Sequence, residues 1–407
     1  MYPNLSYLFH DLFGTEPDNW LSIFQTFGLF MALAFFSAAI TLYWELKRKE
    51  KAGLFQASQQ IIKVGESAKP IDIFWNTLIG FLIGFKGVHI FQNFSDFKQS
   101  ASDVLLSAQG NWTWGILLAA LFGGFKYWEK SKEKLAKPKE QKIKILPSDR
   151  TGDITIVAAV SGLLGAKIFA LIETMDQFMQ DPIGQLFSGS GLASYGGLIG
   201  GAVGVIAYLR WKKIPILHFA DAVAPGLMLS YGVGRIGCQL SGDGDWGIPV
   251  KGPFPQIADL NYPYDFSTPP SWMSWLPDWF YAYDYPHNVN NDGGVTNATI
   301  PGCEWEYCSV LDVPVFPTPL WEVIAATALF GVLWALRKKI TIPGILFCIY
   351  LVFNGIERFW IEKWRINDKY DWLPFSWTQA ELIAVLLMLT GVILGFILWR
   401  KKQTKSA

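Results

Sequence analysis

The amino-acid sequence predicts an all-α polytopic membrane protein. The 407-residue chain is 51% hydrophobic and 16% aromatic but only 17% charged, and its mean hydropathy is +0.25. That is too apolar for an average soluble domain. Its apolar residues come in runs of roughly 18 to 25, the length that crosses a hydrocarbon core of about 30 Å. Basic loops alternate with poorer ones between these runs, which fixes how the chain is threaded. Lys+Arg and Asp+Glu balance at 34 each, so nucleic acid is not an expected partner.

Spans are predicted near residues 21–44, 72–92, 111–128, 152–173, 193–210, 217–240, 319–336, 343–361 and 378–399. The first, "LSIFQTFGLFMALAFFSAAITLYW", follows an uncharged-to-acidic leader and lacks the small-residue exit of a cleavable signal. It is expected to stay as a membrane helix. "KRKEK", "YWEKSKEKLAKPKEQKIK", "RWKK", "RKK" and "WRKKQTK" follow the first, third, fifth, seventh and ninth spans. The positive-inside rule then places the N-terminus outside and the C-terminus in the cytoplasm. Segment 129–150 reads as a solvated, Lys-rich cytoplasmic connector.

The fifth span opens with "GSGLASYGGLIGGAVG" at 189–204. Gly200 and Gly204 suit close packing between membrane helices. Gly196 and Gly197 sit at the outer mouth, where bare backbone would let a ligand approach. The sixth span, "LHFADAVAPGLMLSYGVGRIGC", carries one fixed charge, Arg235, and ends in a turn rich in Gly and Asp. Residues 241–318 hold many Trp, Tyr, Pro and Asp residues. They are expected as an irregular extracytoplasmic cap at the interface, or as a lid gripping a lipid-borne or peptide substrate. Cys303 and Cys308 can close a small bridge on an oxidising side, while Cys238 and Cys348 read as plain apolar residues. His10, His89, His218 and His287 are isolated and read as structural.

In "FNGIERFWIEKWRINDKYDW", Arg358, Glu362 and Arg365 fall at i, i+4 and i+7, on one helix face. An ionised residue near the bilayer centre costs about 2.5–3.5 kcal/mol on insertion scales. Arg358 and Glu362 can offset part of this by pairing, with Arg365 reaching to the interface. Counted with Arg235, the face is expected to hold a positive excess, and a phosphate would offset the burial of its guanidiniums through bidentate contacts.

Several stretches together resemble one family, the bacterial prolipoprotein diacylglyceryl transferases. "GRIGCQLSGDGDWG" resembles its "GRxGN" core and acidic "NGExxG" turn, and "SYGGLIGG" its "HGGLIG" element. "FPTPLWE" is similar to "HPTQLYE", "ERFWIEKWR" to "RFxxExxR", and "FSWTQAELIA" to the start of the last helix. "FGLF" resembles the end of the first-helix "YGL" motif. The resemblance runs over residues 21–44 and 152–399, and residues 72–128 have no recognised counterpart. It implies seven family helices plus about two inserted ones.

The resemblance implies transfer of the diacylglyceryl group of phosphatidylglycerol to the lipobox cysteine of a preprolipoprotein, releasing glycerol-1-phosphate. The enzyme would be a monomer in the bacterial inner membrane, with no metal and no cofactor. Arg235 and Arg358 would hold the headgroup, Glu362 would orient Arg358, and Asp243 would stand for the turn glutamate. Gly196, Gly197, Gly234, Gly237 and Arg365 would line the substrate site. Tyr195 stands where the family has histidine, Cys238 where it has asparagine, Phe27 for a tyrosine and Phe316 for a histidine, and a residue is inserted around Gly244. The expected divisions are 1–45, an inserted pair at 46–150, core helices at 151–240, the cap at 241–318 and C-terminal helices at 319–407. The alternatives are a non-catalytic relative binding anionic lipid or lipoprotein precursors, and an anion or solute transporter. No P-loop, paired-histidine metal motif or GxSxG elbow supports other hydrolytic chemistries.

Overall fold

A computed structural model describes the chain except at residues 65, 95–96, 98–103, 105–106, 108, 136–138, 188–192, 252–266, 274, 368, 371–376 and 407. In chain order the elements are α1 (Leu5–Phe13), α2 (Thr26–Lys51), β1 (Ser58–Val64), α3 (Pro70–Gln92, with a π turn at Ile83–Gly87) and α4 (Trp112–Glu133). Then come β2 (Lys139–Ile145), α5 (Thr151–Glu173), α6 (Ser194–Trp211), α7 (Ile216–Ser241), α8 (Thr318–Leu336), α9 (Ile345–Glu362) and α10 (Gln379–Ser406). Two short helices, Met175–Gln180 and Pro182–Phe187, lie between α5 and α6.

A helix stands at each expected span, and the chain is an all-α, multi-pass membrane protein. Among the described residues, six helices are long and apolar enough to cross a bilayer by length and composition. The others are diluted. Glycines interrupt α6, Lys and Glu crowd the end of α4, and Glu357, Arg358 and Glu362 lie inside α9. Large apolar side chains such as Leu163, Ile168, Val392 and Phe396 face outward, as expected where the solvent is hydrocarbon.

The chain divides into two compact units, residues 55–214 and residues 1–54 with 215–407. In the first, α5 and α6 touch through glycine. A Cβ on Gly165 or Gly200 would lie 2.8 Å from the other's Cα, so only glycine permits this approach. The helices α3 and α4 form a second pair, and a Cβ on Gly115 would meet the Phe81 ring at 3.0 Å. The strands β1 and β2 pair antiparallel, with Ser58 opposite Ile145 and Val64 opposite Lys139.

In the second unit α7 packs against α2 and α8, and α9 against α10. Met228, Ala326, Leu333 and Leu346 form a fully buried centre between α7, α8 and α9. Between α7 and α8 the described residues of the expected cap form short 3-10 turns and isolated bridges around buried Tyr285, Val313, Val315 and Phe316. The part at 252–266 lies outside the described residues. Cys303 and Cys308 are bridged. The leader folds as α1, capped by Asn4 at its start and by left-handed Gly14 at its end. Its Tyr7 packs against Trp305, His287 and Tyr307.

Three backbone hydrogen bonds position the site. Gly247 N donates to Phe316 O at 2.8 Å, Phe316 N to Ile248 O at 3.2 Å, and Ile248 N to Trp364 O at 2.8 Å. They tie the turn after α7 to the start of α8 and the end of α9. A Cβ on Gly247 would meet Thr318 Cγ2 at 2.9 Å and Phe316 Cβ at 3.0 Å, so this knot requires glycine.

Candidate active site

On α7, Tyr231, Arg235 and Cys238 recur at helical spacing and share a face. After α7 the chain turns through Gly242 at φ 65° and Gly244 at φ 90°, a left-handed conformation that glycine adopts freely. The turn brings Asp245 back over Arg235. The side chain of Asp245 bridges two guanidiniums, pairing with Arg235 through Oδ2 and with Arg365 through Oδ1. Thr318 at the start of α8 holds the Asp245 carbonyl with a 2.9 Å hydrogen bond.

The centre of the site is Glu322, one turn into α8 and 0% exposed. Arg235 Nε lies 3.0 Å from its Oε2, and Arg358 Nη1 lies 3.1 Å from its Oε1. The Tyr231 hydroxyl lies 2.8 Å from the same Oε1. Arg358 also pairs with Glu362 at 3.0 Å. Glu362 Oε1 is held in turn by Thr378 Oγ1 at 2.9 Å and by Asn367 Nδ2 at 2.6 Å. The expected Arg358–Glu362 pair is present, and Arg235 and Arg358 meet on one carboxylate.

The expected positive excess is absent. Arg235, Arg358 and Arg365 face Glu322, Glu362 and Asp245 as direct ionic partners, and Glu357 and Asp243 stand close by. The sequence count took in Glu362 but left out Glu322 and Asp245, which approach from α8 and from the turn. Arg365 does not reach toward the interface. Its side chain is 8% exposed and turns inward, and its Nε and Nη1 make no hydrogen bond, although Nη1 lies 3.8 Å from Glu322 Oε2.

The turn carboxylate that meets the guanidiniums is Asp245, not the expected Asp243. Asp243 instead accepts from the backbone N of Asp245 at 3.3 Å and faces the Cys238 thiol. Burial pushes the Asp243 carboxyl above its usual range, and the neighbouring Asp245 charge adds to this. Burial also acts on Asp245, but the Arg235 and Arg365 guanidiniums overcome it and hold its carboxyl down at about 2. Cys238 Sγ and the two aspartates come within 4.8 Å of one another. Both Asp245 oxygens already face guanidiniums, so a cation there would have to compete with two arginines.

The glycines divide. Gly234 leaves open space beside Arg235, since a Cβ there would meet nothing within 4 Å. Gly237 is spent on packing, because a Cβ would lie 2.8 Å from Phe30 Cβ of α2. Gly196 and Gly197, expected to present bare backbone to a ligand, instead face α5. Gly196 is against Phe169, and a Cβ on Gly197 would lie 3.5 Å from Ala166 Cβ. Tyr195 is half-buried at the start of α6. These three residues belong to the unit at 55–214.

Sequence reasoning passed over Glu322, Asp245, Tyr231 and Glu357. The segment "FPTPLWE" ends on Glu322, and a lone carboxylate inside an apolar helix is the signal that points to it.

The sequence model of the prolipoprotein diacylglyceryl transferases matches residues 114–397. The match takes in α5 to α9 and most of α4 and α10, and leaves out α2, where "FGLF" had suggested the family's first helix. In the fold it is α2 that packs on the arginine-bearing α7, while α4 pairs with α3. Three curated relatives carry the name phosphatidylglycerol–prolipoprotein diacylglyceryl transferase. That of Leptospira interrogans is 25% identical over 324 residues, covering 66% of this chain and 86% of its own length. That of Corynebacterium efficiens is 28% identical over 259 residues, covering 62% and 70%. That of Chlorobaculum tepidum is 26% identical over 279 residues, covering 64% and 79%. With its family match spanning well over half its length and a charged cluster built on three of the resembling motifs, the chain belongs to the prolipoprotein diacylglyceryl transferase family.

Proposed function

We propose that this protein transfers the diacylglyceryl group of phosphatidylglycerol to the lipobox cysteine thiol of a preprolipoprotein, forming a thioether and releasing glycerol-1-phosphate. The observation that carries the reading is the convergence of Arg235 and Arg358 on fully buried Glu322. The guanidiniums are held in place before substrate arrives, by a carboxylate that a lipid phosphate can displace. The sulfur attacks the glycerol carbon, the carbon–oxygen bond to phosphate breaks, and the electron pair leaves with the phosphate. Arg235 and Arg358 stabilise that charge, Glu362 keeps Arg358 aimed, and Arg365 offers the unbonded Nε and Nη1 donors. Gly234 leaves room for the headgroup beside Arg235. Asp245 takes the part expected of Asp243. For Tyr195, Gly196 and Gly197 the reading rests on the family pattern alone.

The protein would act as a monomer in the bacterial inner membrane, with the site at the extracytoplasmic leaflet and the C-terminus in the cytoplasm. The charge distribution of the loops supports this orientation. Purified protein mixed with phosphatidylglycerol and a lipobox peptide is expected to add a diacylglyceryl mass to the peptide and release glycerol phosphate in equal amount. Tyr195 in the histidine position favours a second reading, a relative that binds the lipid without turnover. Lipid binding with no mass gain would establish that one instead.

A further inference from the structure

Behind Glu322 lies a second buried carboxyl that the reaction as described does not use. Glu357, on α9, is 6% exposed. Its Oε1 lies 3.3 Å from the Tyr231 hydroxyl, the same hydroxyl that stands 2.8 Å from Glu322 Oε1. Its Oε2 has no hydrogen-bond partner. The charged and titratable groups around it are Tyr231 and Arg235 of α7, Glu322 of α8, and Arg358 and Tyr350 of its own helix. Glu381, in the first turn of α10, is engaged by Lys363 and by the backbone N of Thr378.

A phenolic hydroxyl carries one proton. It can donate to one of the two carboxyl oxygens that flank it, and the other contact is a hydrogen bond only if that carboxyl carries a proton of its own. Glu322 has guanidiniums on both oxygens, whereas Glu357 has none within ion-pair distance among the described residues. A buried, unpaired carboxylate is costly and takes up a proton instead. The chain therefore runs from Glu357 O–H to Tyr231 O, and from Tyr231 O–H to Glu322.

We propose that Glu322 and Glu357, bridged by Tyr231, share one proton in the resting protein and accept the second from the substrate thiol. The proposal rests on the diacylglyceryl transfer reading. When a lipid phosphate draws Arg235 and Arg358 off Glu322, both carboxyl oxygens lose their guanidinium partners and stand open to a new donor. The S–H proton passes to Glu322 as the S–C bond forms, and the C–O bond breaks with its electron pair going to phosphate. Glycerol phosphate leaves as the dianion, takes that proton, and the arginines return to Glu322. Glu322 is then the proton acceptor, and Tyr231 and Glu357 are positioning residues that hold the other proton.

The test has two arms. In the first, resting protein without substrate is examined by infrared difference spectroscopy against Glu357→Gln, a same-shape variant whose amide still donates to Tyr231. A protonated-carboxyl band present in the parent and missing in the variant is expected, and identical spectra would overturn the shared proton. In the second, Glu357→Gln and Tyr231→Phe are assayed with phosphatidylglycerol and lipobox peptide, with thermal unfolding checked in parallel. A fall in kcat of about 100-fold is expected, with KM for the lipid little changed and the acid limb of the pH profile displaced. Parent-like kcat and pH profile in both variants would overturn the role in proton transfer. A parent protein that modifies no peptide removes the transferase reading, while the infrared arm still decides the proton.

Discussion

Both ends of α8 are built around a buried glutamate that holds two arginines, and they differ in what is left over. At the far end Glu45, 1% exposed, takes Arg337 Nε at 2.6 Å and Arg48 Nη2 at 2.8 Å. Arg337 Nη1 also donates to the Trp334 carbonyl, and Arg48 Nη2 shares its donors between Glu45 and the Arg337 carbonyl. Nearby, Asp221 accepts from the Gly344 and Phe347 backbone nitrogens that open α9, and Lys49 donates to the His218 carbonyl at 2.9 Å. No side chain in that group keeps a buried polar atom without a hydrogen bond. At the cap end Glu357 keeps one such oxygen and Arg365 two such nitrogens, while Glu322 Oε2 and Glu362 Oε2 each have an ion pair at 3.0 Å in place of a hydrogen bond. Similar residues make a staple in one place and a site in the other. What separates them is unspent hydrogen-bonding capacity, since buried polar groups are ordinarily satisfied.

Mutations at the two ends should therefore separate rate from stability. The largest expected effect is on turnover. Arg235→Ala and Arg358→Ala should each lower kcat by about 100- to 1,000-fold in the lipobox-peptide assay, as for loss of a transition-state donor. Full activity in Arg358→Ala would remove that residue from the mechanism. Glu45→Ala should do the reverse. Leaving two partly exposed arginines without their carboxylate should cost about 1–3 kcal/mol of stability, less than for a fully buried pair, read as a lower unfolding midpoint, with little change in rate per folded molecule.

A smaller effect separates charge from shape at Asp245. Its carboxyl is held at about 2, below the unfolded value of about 3.9. A depressed carboxylate contributes stability that is fully present above the unfolded value and is lost as pH falls through the folded one. The stability advantage of the parent over Asp245→Asn should be flat from about pH 5 to 8 and shrink from about pH 4 towards pH 2. Unfolding midpoints against pH measure this, and an advantage that shrinks near neutrality would contradict the Arg235–Asp245–Arg365 bridge. The smallest effect is expected at Cys238. Cys238→Ala removes a thiol that faces Asp243 but leaves every ion pair intact, so most turnover should remain.

The membrane spans were legible in the sequence because an apolar run of the right length has few other uses. Arg235, Arg358 and Glu362 were legible for the same reason, as charges that cost free energy where they stand. Their partners were harder to read. Asp243 and Asp245 stand two residues apart in one turn, and the left-handed backbone at Gly242 and Gly244 decides which of them swings back over Arg235. Glu357 sits between Ile356 and Arg358 in an apolar stretch, and only the approach of Tyr231 from α7 gives it a task. Glycine pattern alone did not reveal whether a glycine faces a ligand or a helix. Gly234 is open, whereas Gly196, Gly197 and Gly237 are covered by neighbouring helices.

The β1–β2 ribbon also bears on how such a chain can change over time. Because Ser58 sits opposite Ile145, everything between them leaves and rejoins the fold at a single doorway. A shortened protein joined from residue 57 to residue 146 should keep every residue of the arginine–glutamate cluster, since all of them lie between Tyr231 and Thr378.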